Sequence, residues 1–225
     1  MASRSVSDVV LTGTVEVPAV PALLASHWQR EVAQHLALAP GDVEALNLAQ
    51  YRTRANAPHY RRCLQAATDW AHGIGLPDVL AESHIALMAC RGAKYHHDGA
   101  QYGDSAFCNL FLSDDAGLDV HFPGAGLRIP LVRGTVVVFD TSQRHAVIRR
   151  GSSGFDVADF AADQDDALVF LTWELPIENP DVSRVLGVTF DTDPRTATTL
   201  AEPCVLLNGA AACICPESGQ WCPAV

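Results

Sequence analysis

Three consecutive positions, His96, His97 and Asp98, bring two imidazoles and a carboxylate together in the segment 94–101. On an extended strand successive side chains point to opposite faces, so His96 and Asp98 emerge on one side while His97 turns away. A pair at i and i+2 can chelate one metal ion from one strand, which adjacent residues ordinarily cannot. The third ligand must come from elsewhere, and His145 opens an apolar run after residues 133–144, where a short hairpin can turn it inward. Two imidazoles and one carboxylate fill one face of an octahedron. That set suits iron(II), because three adjacent positions stay open for O2 and a chelating cosubstrate.

These ligands need rigid elements to hold them. From about residue 84 short β-prone runs alternate with Gly, Pro and Asp, which predicts strands over 84–90, 93–98, 105–113, 118–122, 127–132, 135–140, 145–150 and 167–175. The expected fold class is mainly β with flanking helices, built on a double-stranded β-helix core of jelly-roll or cupin-like form, because such folds remove or protect strand edges. Ahead of it, Val9–Val17 reads as a strand, and Leu24, Trp28, Val32 and Leu36 recur every four residues along one side of a helix. Pro58 opens a second helix with Tyr60, Leu64, Ala67 and Ala71 on one face. The expected organisation is one domain overall: a helical segment 1–83 packed on the core, the catalytic core 84–175, and a C-terminal extension 176–225 with a Cys-rich end.

A lone His-x-Asp is a weak motif. In order with the strands 105–132 and the Gly-initiated apolar strand that ends in Phe139 before His145, it resembles the iron(II)- and 2-oxoglutarate-dependent oxygenase superfamily, in particular its small hydroxylase branch. The resemblance covers about residues 84–175. It implies a dioxygenase in which His96, Asp98 and His145 hold iron, with no catalytic residue beyond these ligands, and in which 2-oxoglutarate and O2 take the remaining positions. Because halogenating relatives replace the carboxylate by Gly or Ala, Asp98 points to hydroxylation or another oxidation.

The family also places a basic residue roughly ten positions after the distal His, to pair with the far carboxylate of 2-oxoglutarate. Phe155 stands there in this chain, and residues 151–166 contain no basic residue. A guanidinium fork meets a carboxylate best. Arg149, four residues after His145 and so on the same strand face, is the leading anchor, and Arg128 is the runner-up. Asn109 and Tyr95 are expected to add hydrogen bonds.

The formal charge of −11, from 26 acidic and 15 basic residues, disfavours nucleic acid as a partner. No stretch approaches the ~20 apolar residues that span a bilayer. The expectation is a cytoplasmic enzyme without membrane or nucleic-acid contacts, acting on a small-molecule substrate such as an amino acid or specialised metabolite. Arg52, Arg54, Arg61 and Arg62 could form a cationic lid or a solvated helix face. Cys63, Cys90 and Cys108 lie in apolar sequence and read as buried thiols. Cys204, Cys213, Cys215 and Cys222 could enclose a structural zinc, although their spacing lacks paired C-x2-C knuckles, and reduced thiols or a disulfide are preferred. The alternatives are a cupin-like metal-binding enzyme or module that does not use 2-oxoglutarate, and a silent barrel in protein interaction.

Overall fold

A computed structural model of the chain describes residues 3–160, 166–193, 195, 198–201 and 204–223. Its strands are β1 (Arg4–Ser5), β2 (Val10–Thr14), β3 (Val43–Leu46), β4 (His84–Cys90), β5 (Ala93–His96), β6 (Ser105–Phe111), β7 (Leu118–Phe122), β8 (Leu127–Pro130), β9 (Thr135–Asp140), β10 (His145–Arg149), β11 (Leu168–Pro176), β12 (Thr198–Ala201), β13 (Cys204–Leu207), β14 (Ala210–Ile214) and β15 (Trp221–Pro223). Strands β4 to β11 correspond one for one to the eight runs expected from the sequence. They divide between a large sheet, ordered β2-β9-β6-β11-β4-β3, and a small sheet, ordered β5-β10-β7-β8. Every pairing in the two sheets is antiparallel. This is the strand order of a double-stranded β-helix.

The large sheet is buried on both faces, and β11 shows how the sequence arranges this. Val169, Leu171, Trp173 and Leu175 join the cluster that contains Leu24, Trp28, Val32, Cys63, Ala67 and Ala71 from the helical segment. The alternate residues Phe170, Thr172 and Glu174 face the interior between the sheets. Period-two alternation thus assigns one set to the helices and the other to a cavity. Each fully buried Leu on the helix side contributes roughly 1.5–3 kcal/mol. Helix 57–73 is regular and buries Tyr60, Ala67 and Ala71 as expected. The first helix is regular over Ala22–Arg30, then widens into π-type turns over Glu31–Leu36 and stops at Ala37, whose φ of 48° is left-handed. Leu36 is only partly buried in consequence.

Two parts of the fold had no sequence signal. Strand β3 adds an edge to the large sheet beside β4. The C-terminal extension folds as a second sheet, β1-β12-β13-β14-β15, which also ties down the N-terminal residues Arg4 and Ser5. Ile214 of β14 packs on the outer face of the small sheet, against the cluster of Tyr95, Ala146 and Ile148. Among the described residues no helix is long and apolar enough to cross a membrane. Cys63, Cys90 and Cys108 are buried thiols.

Candidate metal centre

His145 and His96 are directly paired across β10 and β5. The next pair is Val147 with Ala93, so two residues of β5 oppose one of β10 and the strand carries a bulge. The bulge lets Ala93 and His96 both face inward while Tyr95, between them, faces out. Strand β5 ends at His96, so Asp98 is not on a strand as simple alternation implied. It caps the short helix Gly99–Tyr102, and its backbone N–H is fixed by the Thr141 carbonyl at 2.7 Å. The carboxylate still meets the imidazoles: His96 Nε2 to Asp98 Oδ1 is 3.6 Å and His145 Nε2 to Asp98 Oδ2 is 3.5 Å. His97 points elsewhere, against the ring of Trp221.

The hydrogen bonds fix which nitrogen faces the gap. His96 Nδ1 lies 2.6 Å from the Lys94 carbonyl and His145 Nδ1 lies 2.9 Å from the Gln143 carbonyl. A carbonyl only accepts, so both Nδ1 atoms carry a proton, and in the neutral imidazole it is Nε2 that presents the lone pair. Burial holds His145 well below the ordinary imidazole range, and neighbouring His96 adds to the effect. Burial also raises Asp98, against the pull of His96 and His97. A half-buried carboxylate beside two imidazole lone pairs costs free energy until a cation joins them. Bonds of ~2.1 Å to an octahedral ion place adjacent donors about 3 Å apart, close to the separations found. The donor set therefore fits a divalent ion, and the two-His, one-carboxylate composition fits iron(II). Among the described residues this is the one group of three or more His, Cys, Asp or Glu whose ligand atoms lie within 4.8 Å of one another.

The loop before His145 is anchored from a distance. Asp140 is fully buried and accepts from Arg4 Nη1 and Nη2 at 2.7 and 2.8 Å, and from the backbone N–H groups of Ser7 and Ser142. The Thr141 hydroxyl lies within hydrogen-bonding reach of the Tyr102 and Ser105 carbonyls. These contacts join the segment carrying Asp98 to the one carrying His145. They span up to 136 positions, so no local spacing announced them.

The triad sits on the wall of a cavity of about 540 Å³ between the sheets. Phe107, Phe111, Phe122, Phe139 and Phe170, five of the chain's eight phenylalanines, line it. Its polar residues besides the triad are Glu44, His84, Gln101, Tyr102, Asn109, Thr172 and Glu174. Asn109 therefore does face the cavity, where its Oδ1 accepts from the Thr172 hydroxyl at 2.6 Å.

The other three residues expected around the cosubstrate lie off the cavity wall. Tyr95 is on the outer face, its hydroxyl 2.5 Å from His121 Nδ1. Arg128 pairs in register with His121 on β7 and donates to the Ser152 carbonyl at 2.6 Å. Arg149 binds Asp166 at 2.9 Å, donates to the Ala116 and Asp159 carbonyls and lies over the Phe160 ring. Four strand residues separate it from His145 by about 13 Å, farther than one small chelate reaches. Arg149→Gln is accordingly expected to cost about 1–3 kcal/mol of stability through lost hydrogen bonds, and to shift cosubstrate affinity by less than about twofold. Thermal denaturation alongside a cosubstrate titration checks both.

No lysine or arginine lines the cavity among the described residues, and the sequence places none outside them. The triad can accept a chelating 2-oxo acid head. The second carboxylate of 2-oxoglutarate, however, would meet only uncharged donors such as Asn109 and Tyr102. Of the proposed lid arginines, Arg52 bonds the Tyr60 hydroxyl, and neither it nor Arg54, Arg61 or Arg62 borders the cavity.

The described cysteines of the C-terminal sheet do not assemble three thiols around one point. Cys213 and Cys222 face each other across β14 and β15 with Sγ atoms 2.6 Å apart. The Cys215 thiol is held below its usual range by the Ser218 hydroxyl and by the Ser218 and Glu217 backbone. The side chain of Cys204 lies outside the described residues.

No family model matches the chain, and no curated protein matches it by sequence. Among solved structures it is similar to the viral collagen prolyl hydroxylase of Paramecium bursaria Chlorella virus-1, with 9% identity over 74% of this chain and 90% of that one and a TM-score of 0.44. It is similar to a Pseudomonas putida prolyl-4-hydroxylase, with 16% identity over 74% and 92% and a TM-score of 0.43. It is also similar to EvdO2 from Micromonospora carbonacea var. aurantiaca complexed with 2-oxoglutarate, with 12% identity over 79% and 91% and a TM-score of 0.43. The fold assignment rests on the strand order above.

Proposed function

We propose that this chain is a non-haem iron(II) dioxygenase that uses a 2-oxo acid, the class that includes the 2-oxoglutarate implied by the motif resemblance, and that it oxidises a small molecule. The observation that carries this reading is the convergence of two imidazole lone pairs and one carboxylate at one end of a largely apolar cavity. His96 and His145 serve as neutral Nε2 donors, held in one tautomer by the Lys94 and Gln143 carbonyls. Asp98 supplies the negative charge and leaves one side of the ion to the cavity. The phenylalanine walls keep bulk water from the reacting atoms. Iron, when bound, supplies the activation of O2 that couples loss of CO2 from a 2-oxo acid to oxidation of a substrate C–H bond. The buried thiols Cys63, Cys90 and Cys108 support a cytoplasmic setting.

A second reading, a metal enzyme that takes no 2-oxo acid, is favoured by one observation: the cavity wall carries no lysine or arginine among the described residues. Carboxyl-labelled 2-oxo acids in air separate the two. The proposed function predicts iron-dependent release of labelled CO2 without added substrate, at a slow uncoupled rate. No release above the iron-free control, from 2-oxoglutarate or any other 2-oxo acid, would leave the second reading in place.

A further inference from the structure

The composition of the cavity wall bears on which 2-oxo acid it would take, an inference that rests on the 2-oxo acid reading above. All fifteen Lys and Arg side chains belong to described residues, and none borders the cavity. The carboxylates Glu44, Asp98 and Glu174 do. The imidazoles cannot substitute for a cation. Those of His96 and His145 face the metal position, and that of His84 is 71% exposed and engaged with Glu174 at 3.1 Å.

Register places the polar and apolar parts of the wall. Glu174 pairs with His84 and Phe107 near the triad's end, and Thr172 pairs with Asn109 at mid-height. One step farther, Phe170 pairs with Met88 and Phe111. From the facing sheet Val147, Val120 and Ala93 close this end. A 2-oxo acid whose head chelates the metal and whose tail runs inward therefore ends against phenylalanine, methionine and valine. An ionised carboxylate there would lose its water and gain no counter-ion. An aromatic or branched apolar tail would gain burial and edge-to-face ring contacts.

We infer that the preferred 2-oxo acid of this protein carries an uncharged apolar tail, of the phenylpyruvate or 4-methyl-2-oxopentanoate class, seated against Phe111 and Phe170. The test is an anaerobic titration of the iron(II)-loaded protein with phenylpyruvate, 4-methyl-2-oxopentanoate and 2-oxoglutarate. It is followed by the weak visible charge-transfer band that chelation produces, so turnover is not required. Phenylpyruvate or the branched acid is expected to saturate at a concentration at least about tenfold below that of 2-oxoglutarate. Phe170→Ala should weaken the apolar acids about tenfold and leave 2-oxoglutarate within about twofold. Saturation by 2-oxoglutarate at an equal or lower concentration would overturn the inference and leave the proposed function standing. A band with none of the acids, in protein that holds iron, would overturn both. An equal loss for all three acids in the Phe170 variant would remove the tail from this wall.

Discussion

Asp98→Ala is expected to lower iron(II) affinity by well over the ~100-fold that loss of an outer-sphere partner can cost, and to abolish iron-dependent turnover. The variant should nevertheless fold. Burial raises the Asp98 carboxyl, so in the metal-free protein its ionised form is held at a cost. Removing a group whose folded-state pKa is raised takes away a charge that destabilises the fold above that pKa, so the metal-free Tm should stay level or rise near neutral pH. Lost iron with an unchanged or higher Tm is the signature of a ligand rather than a structural carboxylate. Wild-type iron affinity in this variant would show that the three donors are wrongly grouped. Anaerobic titration and thermal denaturation of the same preparation measure both quantities.

Arg4→Ala should produce a large loss of stability at a position far from the metal in sequence. The Arg4 and Asp140 side chains are 5% and 0% exposed. Truncating one partner leaves a buried carboxylate that keeps only its backbone donors, at a cost of about 3–5 kcal/mol. For a chain of this size each kcal/mol moves Tm by ~2–4 °C, so a fall of about 6–20 °C is expected. Iron affinity should fall as well, because Asp140 holds Ser142 and with it the approach to His145. Replacing both partners with apolar residues of similar volume should recover much of the stability, since no unpaired charge is then left. A loss below about 1 kcal/mol in Arg4→Ala would mean that the pair is bathed by water rather than buried.

The large features were legible because they depend on local pattern. Eight alternating apolar runs divided by turn residues became eight strands in the expected order. The i, i+2 spacing set His96 apart from His97, and the two imidazoles lie against different neighbours in the structure, His145 and Trp221. What was missed depends on where strands stop and what lies across the fold. Strand β5 ends at His96, so the alternation that would have carried Asp98 on the strand stops short of it. The same strand sends Tyr95 to the outer face, where His121 takes its hydroxyl. Arg149 has the parity of an inward residue, yet Asp166, seventeen positions later, holds its guanidinium at the far end of β10. Arg4, Asp140 and Thr141 carry no motif at all, since their value comes from contacts made after folding. The absence of a basic residue after His145 was visible in the sequence, and the cavity wall gives it a physical consequence.

The central claim is that His96, Asp98 and His145 together hold one iron. Iron K-edge X-ray absorption on protein loaded anaerobically with one equivalent of iron(II) addresses it most directly. Iron held by these three residues should show only nitrogen and oxygen neighbours, at ~2.1 Å, with the outer-ring scattering of two imidazoles. Sulfur scattering at ~2.3 Å would instead place the metal on cysteine thiolates and contradict the assignment.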